Sequence, residues 1–312
     1  MADGFKKRIL FIGMPDTAVI CMVKLAQKKF NIVAAVPPPK NHNTYWLFCE
    51  SAEQMNIPVI SYENSLKDPE FLEKIRSLNA DLAVVCSYCK RFPKEFLETT
   101  RCGFVNVHPA LLPKYRGGNP YSHVIINGEK ETGVTLHFMD ENFDTGDIIV
   151  QEKIPVCKDE TMGTLFNRLN YLSADMLIDL LSRFEEDENL PRKPQPEGDF
   201  VKAPNFKENS ADIFINWNSP VEDIDRFIRG LNPFINAVTE FRGDYLKIFS
   251  ATYEKCPVNF EPGTIVSADC ELSVAAKDGI INISVIQTGS FFIGPASDFI
   301  RYSNCQIGEK LG

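Results

Sequence analysis

The sequence predicts an α/β protein, a Rossmann-like domain followed by a small β-barrel domain, and three observations carry that reading. Short apolar, β-rich runs alternate with segments of helical period through the first half, the pattern of a parallel sheet covered by helices. A long amphipathic stripe over 162–184 closes that region. Beyond an acidic, proline-rich stretch the pattern changes to five or six short strands in about a hundred residues, separated by turn residues, which suits a small barrel. The chain has 312 residues, 44% hydrophobic and 24% charged, enough for two domains and unlike a fibrous or disordered composition.

The elements follow in order. Strands are expected at 8–12, 32–36, 59–60, 82–86 and 104–107, where β-branched and aromatic residues cluster. Helices are expected at 17–28, 45–55, 69–77 and 92–98, several opened by Thr, Asp or Pro where a cap belongs. The turn Gly13-Met14-Pro15-Asp16 has one glycine where a dinucleotide fingerprint needs three, so NAD or FAD is not expected. After 107 come a loop over 108–119, a helix at 121–126 and strands at 132–138 and 147–154. Over 162–184, Leu165, Phe166, Leu169, Leu172, Met176, Leu177, Leu180 and Leu181 recur at three- and four-residue spacing, a helix with one apolar face. The expected division is a catalytic domain over 1–188, a surface linker over 189–204 and a barrel domain over 205–312. In the last, a helix at 221–231 precedes strands at 237–241, 246–253, 263–268, 272–276 and 280–287.

Charge and cysteines narrow the function classes. The net charge of −9 repels phosphate backbones, which disfavours nucleic acid. The apolar run after Lys6-Lys7-Arg8 is too short for a signal peptide, and the uncharged stretch 279–297 is interrupted by polar residues and reads as two buried strands and a turn, so a cytoplasmic chain is expected. Nine cysteines at irregular positions fit reduced thiols. The pair Cys86-x-x-Cys89 lacks a second pair to complete a zinc site, and no metal is expected.

The chemistry concentrates in 106–147. Asn106 and His108 stand two apart at the C-terminal end of a strand, so both side chains point to the crevice where open α/β sheets bind ligands. Pro109 then forces a turn. An amide, an imidazole and the Asp144 carboxylate supply an oxyanion donor, a proton acceptor and a charge to hold the imidazole, which direct acyl transfer to an amine needs. The plain reading stands beside this one. A lone histidine at a strand end is more often structural, Asp144-Thr145-Gly146 is also turn chemistry, Lys114 and Arg116 are also ordinary loop charges, and His42, His123 and His137 are read as structural. On the residues alone the two readings balance.

Asn106-Val107-His108-Pro109, Leu111 to Gly117, Glu131 to Thr135 and Asp144 to Asp147 stand in the order and spacing of motifs in one family, and the chain resembles the 10-formyltetrahydrofolate-dependent formyltransferases. Gln195-Pro196-Glu197-Gly198, Ile215-Asn216-Trp217 and Gly230-Leu231-Asn232-Pro233 extend the likeness through a linker and second domain. The resemblance implies a Rossmann-like formyltransferase domain and an OB-like C-terminal barrel, with 10-formyltetrahydrofolate as co-substrate. It implies that Asn106 binds the formyl oxygen, that His108 handles the amine proton, and that Asp144 orients His108 and raises its basicity. It places the folate against Ser87, Tyr88, Cys89 and Lys90 and against Asp140, Glu141, Asn142 and Phe143, and the acceptor near Lys114, Tyr115, Arg116 and Gly117.

Two departures bear on the acceptor. Ala110 stands where the family has Ser, which removes a hydroxyl expected near the acceptor. The tRNA-specific branch carries a long basic loop after its second strand, whereas 37–46 here holds a single lysine, and 205–312 holds nine Lys plus Arg against 14 Asp plus Glu. The expected acceptor is therefore a primary amine on a small molecule such as a nucleotide-linked aminosugar. Methionyl-tRNA is the alternative, so tRNA stays open as a partner. Hydrolysis of 10-formyltetrahydrofolate is disfavoured by Asn106, where the hydrolases carry an apolar residue, and an inactive folate-binding scaffold by the intact Asn106, His108 and Asp144 set.

Overall fold

A computed structural model describes residues 5–15, 17–63, 65–207, 210–289 and 292–312. They form two compact units, one of Met1–Pro120, Glu131–Pro155 and Asn167–Ala203, the other of Tyr121–Lys130, Val156–Phe166 and Pro204–Gly312. The chain order is β1 (Ile9–Gly13), α1 (Thr17–Gln27), β2 (Ile32–Val36), α2 (Tyr45–Gln54), α3 (Pro69–Ser77), β3 (Leu82–Cys86), α4 (Lys94–Leu97), β4 (Phe104–His108), α5 (Pro120–Ile126), β5 (Glu131–Phe138), β6 (Ile148–Pro155) and α6 (Met162–Glu186). There follow α7 (Val221–Leu231), β7 (Ala237–Phe241), β8 (Asp244–Lys255), β9 (Ile265–Ala268), β10 (Leu272–Ala276), β11 (Gly279–Thr288), β12 (Phe292–Pro295) and α8 (Ala296–Ser303).

The first unit is a Rossmann-like α/β layer with strand order β2-β1-β3-β4-β5-β6. Strands β2, β1, β3 and β4 pair in parallel. Buried on both faces, β1 and β3 are unbroken apolar runs. Their side chains pack with Phe71, Phe92, Phe96 and Phe104, whose rings meet at centroid distances of 5.1–5.8 Å. The parallel pairing expected of the first-half strands holds through β4, and β5 and β6 then run antiparallel. Between β5 and β6 the chain has no crossover helix to reverse its direction.

Local chemistry sets several boundaries. Asp68 caps α3, its carboxylate accepting from the Glu70 and Phe71 N–H groups, with Pro69 at the first helical position. The helix expected over 92–98 contracts to Lys94–Leu97, beginning just after Pro93. Val59 makes one isolated parallel bridge to Ala35 in place of the expected strand at 59–60.

In the second unit the strands run β7-β8-β11-β10-β9, with β12 on β11, all antiparallel, consistent with a small barrel-like domain. Its core gathers Trp217, Val221, Ile224, Ile228, Leu231, Ile248, Ile281 and Ile283. The Trp217 indole donates to Thr239 Oγ1 at 3.1 Å, satisfying its buried N–H. The stretch 279–297 holds two strands, residues 290–291 lying outside the described ones, and α8 begins inside it, which the sequence did not predict. No helix among the described residues is long and apolar enough to cross a membrane, and no group of three His, Cys, Asp or Glu among them could hold a metal ion.

Candidate active site

The strand period and one short loop bring the chemistry together. Asn106 and His108 leave the C-terminal half of β4, and the loop between β5 and β6 returns Asp144 to them. His108 is buried; its Nε2 lies 2.9 Å from the Tyr115 carbonyl, and its Nδ1 lies 3.6 Å from Asp144 Oδ1. A carbonyl only accepts, so Nε2 carries the proton and the neutral ring leaves Nδ1 bare, facing the carboxylate. The orienting partner is thus Tyr115 O, which differs from the orienting role expected of Asp144. Asp144 faces the other ring nitrogen at 3.6 Å, beyond hydrogen-bond distance.

Burial lowers the His108 pKa below the ordinary imidazole value, and the Asp144 charge opposes that fall. Burial alone would raise the Asp144 carboxyl, but His108 and His137 in their charged forms and the Gly117 N–H hold it well below the usual carboxylate range. Asp144 Oδ2 accepts from Gly117 N at 2.9 Å. Gly117 has φ +127°, and a Cβ there would stand 2.5 Å from the Ala203 carbonyl, so the close approach that delivers this N–H requires glycine.

His137, read from the sequence as structural, stands beside Asn106 and Asp144. It is directly opposite Asn106 in the antiparallel β4–β5 register. Its Nδ1 donates to the Phe138 carbonyl at 2.7 Å, which leaves Nε2 in the neutral ring as an acceptor for Asn106 Nδ2 at 3.1 Å. That contact fixes the amide with its NH2 inward. The second Nδ2 proton meets Asp144 Oδ1 at 3.4 Å, a long contact that a developing oxyanion can replace. A His one pleat before a paired strand end is the signal for it, but it becomes visible only once the register is known.

The segments expected at folate and acceptor are placed as follows. Ser87 is left-handed (φ 53°) just beyond β3. The Tyr88 hydroxyl donates to the Pro37 carbonyl at 2.9 Å, and burial pushes this phenol well above its usual pKa. Cys89 is exposed, and Lys90 lies over the Tyr62 ring, 5.3 Å from its centroid. Asp140 builds its own turn, accepting from Asn142 N and Thr145 Oγ1, while Glu141 and Asn142 face solvent. Phe143 lies under the Arg91 guanidinium, 5.0 Å away, joining the two segments. The Tyr115 ring is buried, and its carbonyl lies against His108 Nε2. Arg116 donates from Nε and Nη2 to Gln195 Oε1, and Lys114 is exposed. Ala110 is fully buried, so the hydroxyl missing here is missing from the interior and not from an open acceptor surface.

A groove of about 890 Å³ in the second unit contains none of these residues. Its Lys130, Lys158, Arg226 and Arg229 are matched by Glu129, Asp159, Glu222 and Asp225, giving it no preference for an anion.

Residues 7–181 match the formyl transferase family model and residues 208–304 match the formyl transferase C-terminal domain. The chain belongs to the formyl transferase family. It is 36% identical to the methionyl-tRNA formyltransferase of Syntrophus aciditrophicus over 98% of its own length and 99% of that relative's. To that of Caldanaerobacter subterraneus it is 34% identical, over 90% and 92%. Among solved structures, an N-formyltransferase from Helicobacter canadensis with folinic acid and dTDP-3-aminofucose has TM-score 0.68 at 19% identity, covering 91% of this chain and all of that one. HypX from Aquifex aeolicus with tetrahydrofolic acid has TM-score 0.64 at 17% identity, covering 97% of this chain, which spans about half of HypX. At those identities the solved structures support the fold. The formyltransferase assignment rests on the family match and the full-length relatives.

Proposed function

We propose that this formyltransferase moves the formyl group of 10-formyltetrahydrofolate to the amine of methionyl-tRNA in the cytosol. The convergence of Asn106, His108 and Asp144 supports formyl transfer, and the full-length identity to methionyl-tRNA formyltransferases supports the acceptor. The acceptor nitrogen attacks the formyl carbon and a C–N bond forms. The carbonyl oxygen takes the negative charge and accepts from Asn106 Nδ2, whose polarity His137 has set. The amine proton passes to bare His108 Nδ1, and the imidazolium stands opposite Asp144. Collapse of the intermediate breaks the bond to folate N10, which receives that proton. The products are formylated amine and tetrahydrofolate. In this reading the folate lies along Ser87–Lys90 and Asp140–Phe143.

A second reading, a small-molecule amine as acceptor, is favoured by a specific observation. The one lysine in 37–46, Lys40, is ion-paired with Glu63, and the C-terminal region is acidic. The deciding experiment supplies purified protein with 10-formyltetrahydrofolate and, separately, methionyl initiator tRNA or nucleotide-linked aminosugars, with His108→Ala as control. Formylmethionyl-tRNA is the expected product. Formylated sugar without formylated tRNA replaces the acceptor, and turnover retained in His108→Ala overturns the site.

A further inference from the structure

The linker over 189–204 carries a side chain that engages both loops of the site. Gln195 Nε2 lies 2.9 Å from the Asp144 carbonyl and 2.8 Å from the Gly146 carbonyl, and its Oε1 accepts from Arg116 Nε (3.2 Å) and Nη2 (2.6 Å). Carbonyls accept and a guanidinium donates, so the amide has one possible orientation, with both protons and both lone pairs of the oxygen engaged. The linker backbone holds this side chain in place from either side. Lys193 exchanges two hydrogen bonds with Ile148, at 2.8 and 2.9 Å. Farther along, Tyr115 N donates to Val201 O, Ala203 N to Arg116 O and Asn119 N to Ala203 O.

Asp144 needs such a hold. It is left-handed, with φ 59°, a conformation strained for a non-glycine residue that persists only where its surroundings impose it. Its carboxylate is fixed by Gly117 N, and its own carbonyl by Gln195. On the other side, Arg116 follows directly on Tyr115, whose carbonyl sets the His108 ring.

We propose that Gln195 is a positioning residue for formyl transfer: it locks the backbone of Asp144 and the loop bearing Tyr115 to one another, so that carboxylate and imidazole keep their spacing. It acts through Asp144 and Tyr115 on His108, and it assigns the Arg116 guanidinium to this joint. The inference rests on the reading of Asn106, His108 and Asp144 as the reacting groups.

Gln195→Ala, Gln195→Glu, Arg116→Ala and the double variant Arg116→Ala/Gln195→Ala test it, in steady-state formyl transfer with the acceptor that the wild type uses. Gln195→Ala is expected to lower kcat about tenfold while KM for 10-formyltetrahydrofolate stays within about twofold. The charged or titratable groups facing His108 are Asp144, His137 and Arg116, and all three remain in Gln195→Ala. With Asp144 no longer held close, its support of the imidazolium weakens and the acid limb of kcat moves to lower pH. Gln195→Glu, equal in size, turns a carboxylate oxygen on two carbonyls and loses more than Gln195→Ala; a packing role predicts the reverse. The double variant is expected to lose no more than Gln195→Ala alone, since the two side chains share one joint. A wild-type kcat and acid limb in Gln195→Ala, or a loss that appears only in thermal stability or in acceptor KM, overturns the proposal. Turnover retained in His108→Ala would sink the underlying reading as well. Loss there with Gln195→Ala unaltered sinks this inference alone.

Discussion

Asp144→Asn isolates charge from shape at the centre of the site. At 3.6 Å, the separation of Asp144 Oδ1 from His108 Nδ1, opposite unit charges are worth about 4.6 kcal/mol at an effective dielectric constant of about 20 and about 1.2 kcal/mol in water. The Asp144 side chain is 11% exposed and that of His108 4%, so the pair belongs near the first figure. An amide keeps an oxygen for the Gly117 N–H, which removes part of the loss. The expected fall in kcat is therefore about 10²–10³, equivalent to about 2.7–4.1 kcal/mol of transition-state stabilisation. The pH profile carries an independent sign. His108 must be neutral to accept the proton, so kcat rises with pH through its pKa, which burial already holds below the ordinary imidazole value while Asp144 pushes it up. Removing the charge lowers that pKa further, so the acid limb moves to lower pH even as the plateau falls. Steady-state kcat between pH 5 and 8 at saturating substrates is the assay. A variant within tenfold of wild type, or an acid limb that moves upward, refutes the assignment of charge stabilisation to Asp144.

His137→Leu leaves an Asn106 N–H without its acceptor, which costs about 1–3 kcal/mol of stability and is expected to lower kcat about tenfold; His137→Gln, which restores an acceptor, is expected to recover part of both, as read by urea unfolding and kcat. Gly117→Ala puts a Cβ against the Ala203 carbonyl at a φ of +127° and is expected to cost at least about 2 kcal/mol, with kcat falling as the Asp144 hydrogen bond is displaced; an unchanged unfolding midpoint contradicts the close approach. If methionyl-tRNA is the acceptor and contacts the second unit, neutralising Lys207, Lys247 and Lys277 together should reduce the salt slope of its binding by about 2–3, at about 0.7–0.9 per phosphate contact; an unchanged slope places the tRNA contacts elsewhere.

Much of the scaffold was legible because it rests on local period. The bounds of β7 and β10 follow from the Arg-Gly-Asp and Lys-Asp-Gly turns that end them, and those of α7 from the three- and four-residue stripe. Asn106 and His108 were legible for the same reason, since two residues on one strand share a face. Asp144 was legible only with the family motif beside it, because Asp-Thr-Gly alone is also a turn. His137 was hidden by register: which residue of β5 opposes Asn106 is a property of strand pairing that no single strand displays. Gln195 was hidden by composition. A polar, proline-rich stretch reads as a surface connection, and nothing local reveals that Lys193 and Ala203 bond backbone to backbone with the rest of the first unit. The helix α8 escaped because only Ala296 and Phe299 form its buried stripe, too little for a helical period.

The acceptor is where charge arithmetic and kinship pull apart, and the structure shows how far each reaches. The excess of acid in the C-terminal region does not mask a free basic face: at least six of its nine cations, Arg226, Arg229, Arg242, Lys255, Arg301 and Lys310, stand in ion pairs with neighbouring carboxylates. Long-range attraction of a polyanion is correspondingly weak. Apart from the half-buried Arg229–Asp225 pair, these are exposed pairs worth only about 0–1 kcal/mol, so an RNA phosphate can displace a carboxylate at little cost once contact is made. The charge deficit therefore acts on encounter and affinity, whereas the proposed reacting groups, Asn106, His108 and Asp144, lie in the first unit and would meet the same amine chemistry with either acceptor. Discrimination between tRNA and a small amine is thus expected to appear in KM and its salt dependence, with the His108 and Asp144 phenotypes common to both.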